Sequence, residues 1–323
     1  MNETKKLTES AILSALFVIS TLLFVGIGFG YALYIDFIVP VFFSIVVLRC
    51  DFKYSVLSGI TSLLIVWLIL GNIGIAIWCS QSVILGILCG YFISKDTSIM
   101  DDMVYTSFIG VVLMVFVDIY ASKLIGYSFM KEFQGYINIL KSGEYVQVIY
   151  YILIAAFPFG TVFSIYILSL FMCKKLNMLK GNINKKFEII ANFRRLSRFV
   201  CCSKNVFYVL SVYIFIVETF KAFNINIDNT YLKTIIISIE YLSFYFVIKD
   251  GYTAIQNYLL SKNKKVAHIR ILSILMLIAL VLIFKITTFI IIIINIILDI
   301  KINIRNQQIG ILNNILSRGR KCG

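Results

Sequence analysis

The chain is poor in charge, proline and histidine. Only 14% of its 323 residues are Asp, Glu, Lys or Arg, against roughly 25% in an average soluble domain, too little to solvate the outside of a water-soluble globule. Two prolines and many long Ile/Leu/Phe/Val runs exclude a collagen-like, Pro-rich or disordered chain. A single histidine, His268, leaves His-ligated metal sites and Ser-His or Cys-His catalysis without their parts. The seven cysteines, Cys50, Cys79, Cys89, Cys173, Cys201, Cys202 and Cys322, show no C-x-x-C and no regular spacing. They support neither a zinc site nor a disulfide framework and read as inert thiols. No G-x-x-x-x-G-K-[ST] loop occurs, so ATP-driven work would need another subunit. No catalytic residue, metal or cofactor is expected, and the chain does not read as an enzyme.

What is abundant is apolar surface: 60% of residues are hydrophobic and the mean hydropathy is +0.93. More apolar area than one core can hide requires a bilayer as solvent, and about 20 apolar residues cross a hydrocarbon core of about 30 Å. Eight stretches qualify, approximately Ser10 to Gly30, Tyr31 to Leu48, Tyr54 to Leu70, Ile73 to Ile93, Met103 to Ser122, Tyr145 to Cys173, Val206 to Phe220 and Thr234 to Leu259. Each must be helical, because backbone amides in lipid have no water to bond and the alternation of a barrel is absent. The tail from Ile271 to Leu298 carries Lys285 at its centre, so it is either one long tilted helix or two short ones turning at Lys285. The expected fold is an all-α polytopic membrane bundle of about nine or ten transmembrane helices.

Orientation follows from the basic residues. With the N-terminus in the cytoplasm, 18 of the 30 Lys and Arg residues fall in cytoplasmic connections before the tail and five in outward ones. Basic loops against an anionic leaflet, at about 1 kcal/mol per residue, account for the net charge of +14 without nucleic acid. The expected setting is thus a bacterial-type plasma membrane, with the lipid bilayer as partner. Lys5 and Lys6 ahead of an apolar run without an A-x-A-like site read as the start of an uncleaved first helix, with Thr8 as its cap and Glu9 in its first turn.

The longest polar connection, Lys174 to Lys204, divides a six-helix domain (1–173) from a C-terminal membrane domain of three or four helices plus a basic tail (205–323). Within that linker (174–204), Ile189, Phe193, Leu196 and Val200 form an apolar stripe opposite Arg194, Arg195 and Arg198. The pattern fits a basic amphipathic helix lying in the cytoplasmic interface, its arginines at the lipid phosphates, and equally an elbow between domains.

Several residues stand out. Ala11 and Ala15, flanked by Ser10 and Ser14, put small side chains on one side of the first helix, a face that lets helices approach closely in lipid and could dock another membrane subunit or pack internally. Gly26, Gly28 and Gly30 end an apolar helix instead of joining strand to helix, so they are not a nucleotide fingerprint. Pro40 and Pro158 predict kinks. Among the ionisable groups in apolar segments, only Glu240 and Lys285 look deep; Glu240 could bind a cation or proton, or pair with Lys285. Lys249, Asp250 and Asp299 lie near inner helix ends, where snorkelling lowers their cost. By depth, Tyr31, Tyr34, Asp36, Asn72, Trp78, Gln81 and Asp118 share the outward level. Asn72, Trp78, Gln81 and Asp118 are candidate lining residues of a small-molecule pocket, and an interfacial aromatic belt gives the same enrichment.

The start Leu7-Thr8-Glu9-Ser10-Ala11, Pro40 opening a short second crossing, Leu85-Gly86-Ile87-Leu88-Cys89-Gly90-Tyr91, Phe157-Pro158, Phe193-Arg194-Arg195-Leu196, Asp250-Gly251-Tyr252 and Leu298-Asp299-Ile300 with Arg305 resemble the YybS-like membrane proteins, a family of unknown function distantly similar to the S components of energy-coupling-factor transporters. That resemblance implies a six-helix unit binding a small molecule near its outer face. Ala11 and Ala15 match the Ala-x-x-x-Ala face that docks a coupling subunit. The alternative is a non-catalytic scaffold that recruits lipid or a cytoplasmic partner through the basic linker.

Overall fold

The computed structural model describes residues 3–321 apart from 29, 31–32, 125, 127, 129, 134, 136–143, 224–227 and 263–265. Among the described residues every regular element is helical. The chain runs through α1 (Glu3–Ile27), a π-helical turn (Tyr34–Ile38) leading into α2 (Val39–Cys50), α3 (Phe52–Leu70), α4 (Ile73–Ser94), α5 (Ile99–Leu124), α6 (Glu144–Lys175), α7 (Gly181–Ala191), α8 (Lys204–Ala222), α9 (Thr230–Ser261), α10 (Val266–Leu282), α11 (Phe284–Ile302) and α12 (Ile304–Lys321). Seven of these, α1, α3, α4, α5, α6, α8 and α9, are long and apolar enough to cross a membrane. The protein is a multi-pass helical membrane protein.

Three expectations about the elements need correction. The second predicted crossing is short: 5 π-helical and 12 α-helical residues reach only about 25 Å. Pro40 stands in the first turn of α2, and the π turn that precedes it holds Asp36, the residue four back whose carbonyl the ring would otherwise strike. Thr8 is no cap, since α1 begins at Glu3 and the Thr8 hydroxyl donates to the Thr4 carbonyl at 2.9 Å; Glu9 instead accepts from Arg49 at 2.8 Å.

Packing divides the chain into two units, Met1–Thr97 with Tyr105–Phe187, and Ser98–Val104 with Glu188–Gly323. In the first, α1 lies on α3 through serines: Ser14 Oγ and Ser62 Oγ are 2.5 Å apart and Ser58 Oγ donates to the Ser10 carbonyl at 3.3 Å. The small-residue face of α1 is therefore split, with Ser10 and Ser14 buried against α3 while Ala11 and Ala15 are exposed. The closest approach in this unit is α4 on α2. A Cβ at Gly86 would strike the Pro40 backbone, with Pro40 Cα at 2.7 Å, and one at Gly90 would sit 2.6 Å from the Ser44 carbonyl oxygen. Lipid supplies no hydrophobic drive between helices, so this backbone contact and its dispersion gain hold the pair. Phe17 meets Phe43 edge-on at 5.0 Å inside the same core. Lys186, counted as a loop cation from the sequence, is buried and donates to the Phe92 carbonyl at 2.6 Å, where it caps the negative end of α4.

The second unit is built around α9. Its tail is a helical hairpin, which excludes the single long helix: the break is at Ile283, two residues before Lys285. Gln256 donates to Ser273 Oγ at 3.0 Å and the rings of Phe244 and Phe284 are 5.1 Å apart, so α10 runs back along α9. Asn295 then donates to the Gly251 carbonyl at 3.2 Å, so α11 returns parallel to α9. The last helix, α12, bends by 71° from α11 and buries Ile304, Gln308, Leu312 and Leu316. In the linker, α7 stops before Asn192, whose backbone leaves the helical region, and Phe193–Leu196 starts anew. The expected amphipathic helix is thus two pieces. Ile189, Leu196 and Val200 are buried, Arg194, Arg195 and Arg198 are exposed, and Phe193 turns outward, because the break shifts the helical phase after residue 191.

Candidate functional site

A cavity of about 250 Å³ opens in the first unit, lined by Asp36, Trp78, Gln81, Met114, Val117, Asp118, Met130, Phe157, Pro158 and Thr161. Each wall has a local cause. Trp78 and Gln81 are three residues apart on α4 and so share a helix face. That helix is started by Asn72, whose side chain accepts from the Gly74 N–H at 2.9 Å. Met114, Val117 and Asp118 repeat the i, i+3, i+4 spacing on α5. Pro158 lies inside α6, and its carbonyl accepts from the Thr161 hydroxyl at 2.9 Å. Gly110 on α5 packs tightly here, since a Cβ would fall 3.0 Å from Pro158 Cβ and force it to give way. Asp36 stands on the π turn.

The polar atoms differ in how they are held. The Asp118 carboxylate is buried and accepts from Ser128 Oγ at 2.6 Å, which orients it. Trp78 is half exposed, at 51%. Among the described residues the Trp78 indole N–H, the Gln81 amide and the Asp36 carboxylate make no hydrogen bond or ion pair, and the lining holds two carboxylates and no Lys, Arg or His. Such a site offers an aromatic face, polarizable Met walls and uncommitted polar groups, the combination a small-molecule pocket uses.

The structure brings three of the four expected lining residues, Trp78, Gln81 and Asp118, to one cavity and joins Asp36 to them. Asn72 is elsewhere: it is the N-cap of α4 and is exposed. Tyr34 is core, its hydroxyl 2.9 Å from Thr21 Oγ1 and its ring stacked on Phe24 at 4.3 Å; Tyr31 lies outside the described residues. Thr161 has no signal in the sequence, and Phe157 appears there only beside Pro158 in the family resemblance, not as a lining residue.

Two charged clusters occupy the second unit. Glu240 and Lys285 do not pair directly. Lys285 Nζ donates to Glu218 at 2.8 Å, Lys221 bridges Glu218 at 3.2 Å and Glu240 at 2.5 Å, so four charges alternate in sign along α8, α9 and α11. The correction has a simple cause: Lys221 on α8 takes Glu240, and Lys285 on α11 reaches Glu218 instead. The other cluster overturns the snorkelling expectation for Asp250 and Asp299. Both are buried against Arg305, itself 0% exposed. The Arg305 guanidinium donates to Asp250 at 3.1 and 3.2 Å, pairs with Asp299 and lies 3.7 Å over the Phe207 ring. Asp250 also accepts from the Cys202 N–H at 2.8 Å, while Lys249 donates to the Val200 carbonyl at 2.9 Å. Burial pushes the Cys201 thiol up to about 12 and the Cys202 thiol well above its ordinary range, with the Asp250 charge adding to both.

Residues 11–140 match the model of a family described as predicted membrane proteins, DUF2232. The stretch takes in the π turn, α4 and α5 and therefore most of the cavity wall. No curated protein and no solved structure matches.

Proposed function

We propose that the first unit is a small-molecule binding module of a membrane protein, similar in plan to the S components of energy-coupling-factor transporters that the YybS-like resemblance implies. The observation that carries this reading is the convergence of Asp36, Trp78, Gln81 and Asp118, from three separate elements, on one cavity. An aromatic belt accounts for Trp78 at the surface but not for two carboxylates and an amide around a common space. Exposure of Ala11 and Ala15 on α1 supports that face as the dock for a further membrane subunit. The test is thermal protection: fractions of a cell metabolite extract should raise the unfolding temperature of the purified protein in mild detergent, and the double variant Trp78→Ala with Gln81→Ala should lose that protection while still inserting in membranes. Protection retained in the double variant contradicts the reading.

A second reading, a scaffold recruiting anionic lipid through the linker, has its own support in the exposed Arg194, Arg195 and Arg198 beside buried Leu196 and Val200. Reversing the three charges should abolish preference for anionic over neutral nanodiscs; unchanged preference removes it.

A further inference from the structure

The charge around the cavity runs against the charge of the chain. The whole sequence carries 30 Lys and Arg against 16 Asp and Glu, yet the described lining carries two acids and no base. Asp36 is on the π turn with no hydrogen-bond or ion partner among the described residues, and Asp118 is fixed by Ser128 at 2.6 Å. Trp78 supplies a π face, whose quadrupole attracts a cation placed over it. The two lining carboxylates, Asp118 buried and Asp36 on the open side, attract a positive guest, and an anion would meet two like charges. A metal ion is disfavoured by the donor set, since no three Asp, Glu, His or Cys side chains among the described residues group closely enough to hold one. A volume of about 250 Å³ falls just below the usual range of roughly 300–1,000 Å³ for ligand sites, so the guest is smaller than a drug-sized molecule.

We infer that the cavity takes a small organic cation, an amine or quaternary ammonium on an aromatic or aliphatic body, with Asp36 and Asp118 as counter-charges and Trp78 as the stacking surface. This deepens the binding reading above and rests on it. The discriminating experiment uses three probes of one shape: phenethylammonium, its neutral analogue phenethyl alcohol, and the anion hydrocinnamate. Trp67→Phe removes the other of the two tryptophans, leaving Trp78 as sole indole reporter in the full chain. The ammonium should change Trp78 emission saturably and bind at least about tenfold tighter than the alcohol. Asp36→Asn, on an exposed turn where no partner is lost, should weaken it by about tenfold while leaving the alcohol unchanged. Should the alcohol or the anion bind as tightly as the ammonium, or the Asp36→Asn variant bind the ammonium equally well, the cationic assignment is wrong and the cavity remains a binding site. If none of the three binds saturably up to roughly 10 mM, both this assignment and the binding reading fall.

Discussion

At the scale of single residues, the buried Arg305 cluster shows how a membrane protein keeps charge away from lipid. Desolvating one guanidinium and two carboxylates costs several kcal/mol per ion, and the cluster offsets this by pairing, by the Arg305 bond to Asn295 Oδ1 at 3.4 Å and the Cys202 N–H bond to Asp250, and by the Phe207 face. Removing one member strands the others. Arg305→Ala should therefore lower stability by about 3–5 kcal/mol, read as a large drop in the unfolding midpoint in detergent. Arg305→Lys should recover little of it, because an ammonium lacks the planar fork that reaches Asp250 and Asp299 together. Thiols follow the same logic. The six described cysteines are all buried, and a thiol pushed up to about 12 by burial holds almost no thiolate, the reactive species, at neutral pH. With Cys322→Ser in place, maleimide should label the folded protein hardly at all and all six sites after denaturation; rapid labelling of Cys201 in the folded state would contradict the burial. None of this pairing is readable from hydropathy, which places Asp250 and Asp299 near inner helix ends and says nothing of three helices meeting at Arg305.

Helices follow rules that the sequence does display. Gly86 and Gly90 form a G-x-x-x-G pair, the signature of close helix approach in lipid, and they mark the α2–α4 contact that frames the cavity helix. Gly86→Leu should cost about 1–3 kcal/mol or more by overpacking against Pro40. Gly26→Ala, where nothing stands within 4 Å of the added atom, should be neutral or slightly stabilising; equal loss in both would show that the contact is misplaced. The C-terminal helix was likewise visible in the i, i+4 repeat Ile304, Gln308, Leu312, Leu316, but its low hydropathy hid it from a search for spans. Conversely, the linker stripe reads as one helix in the sequence because periodicity alone cannot register the stop at Asn192. The cavity was legible in part for a physical reason: Trp78 and Gln81 share a face by spacing and Asp118 shares their depth. Thr161 and Phe157 come from a helix whose rotation only packing fixes.

For the whole molecule, the seven long apolar helices among the described residues and a hairpin tail make a membrane-embedded chain, and the basic connections predict its orientation. A reporter fused after Lys185 should register as cytoplasmic; an exterior signal would invert the account of which side each loop faces. The central claim is that this chain holds a small guest in its first unit. Native mass spectrometry of protein extracted directly from its membrane tests that most simply. The account predicts a discrete adduct on the wild-type chain that is lost in the Trp78→Ala, Gln81→Ala variant. Identical spectra for the two proteins, both free of any small-molecule adduct or both carrying the same one, would contradict it.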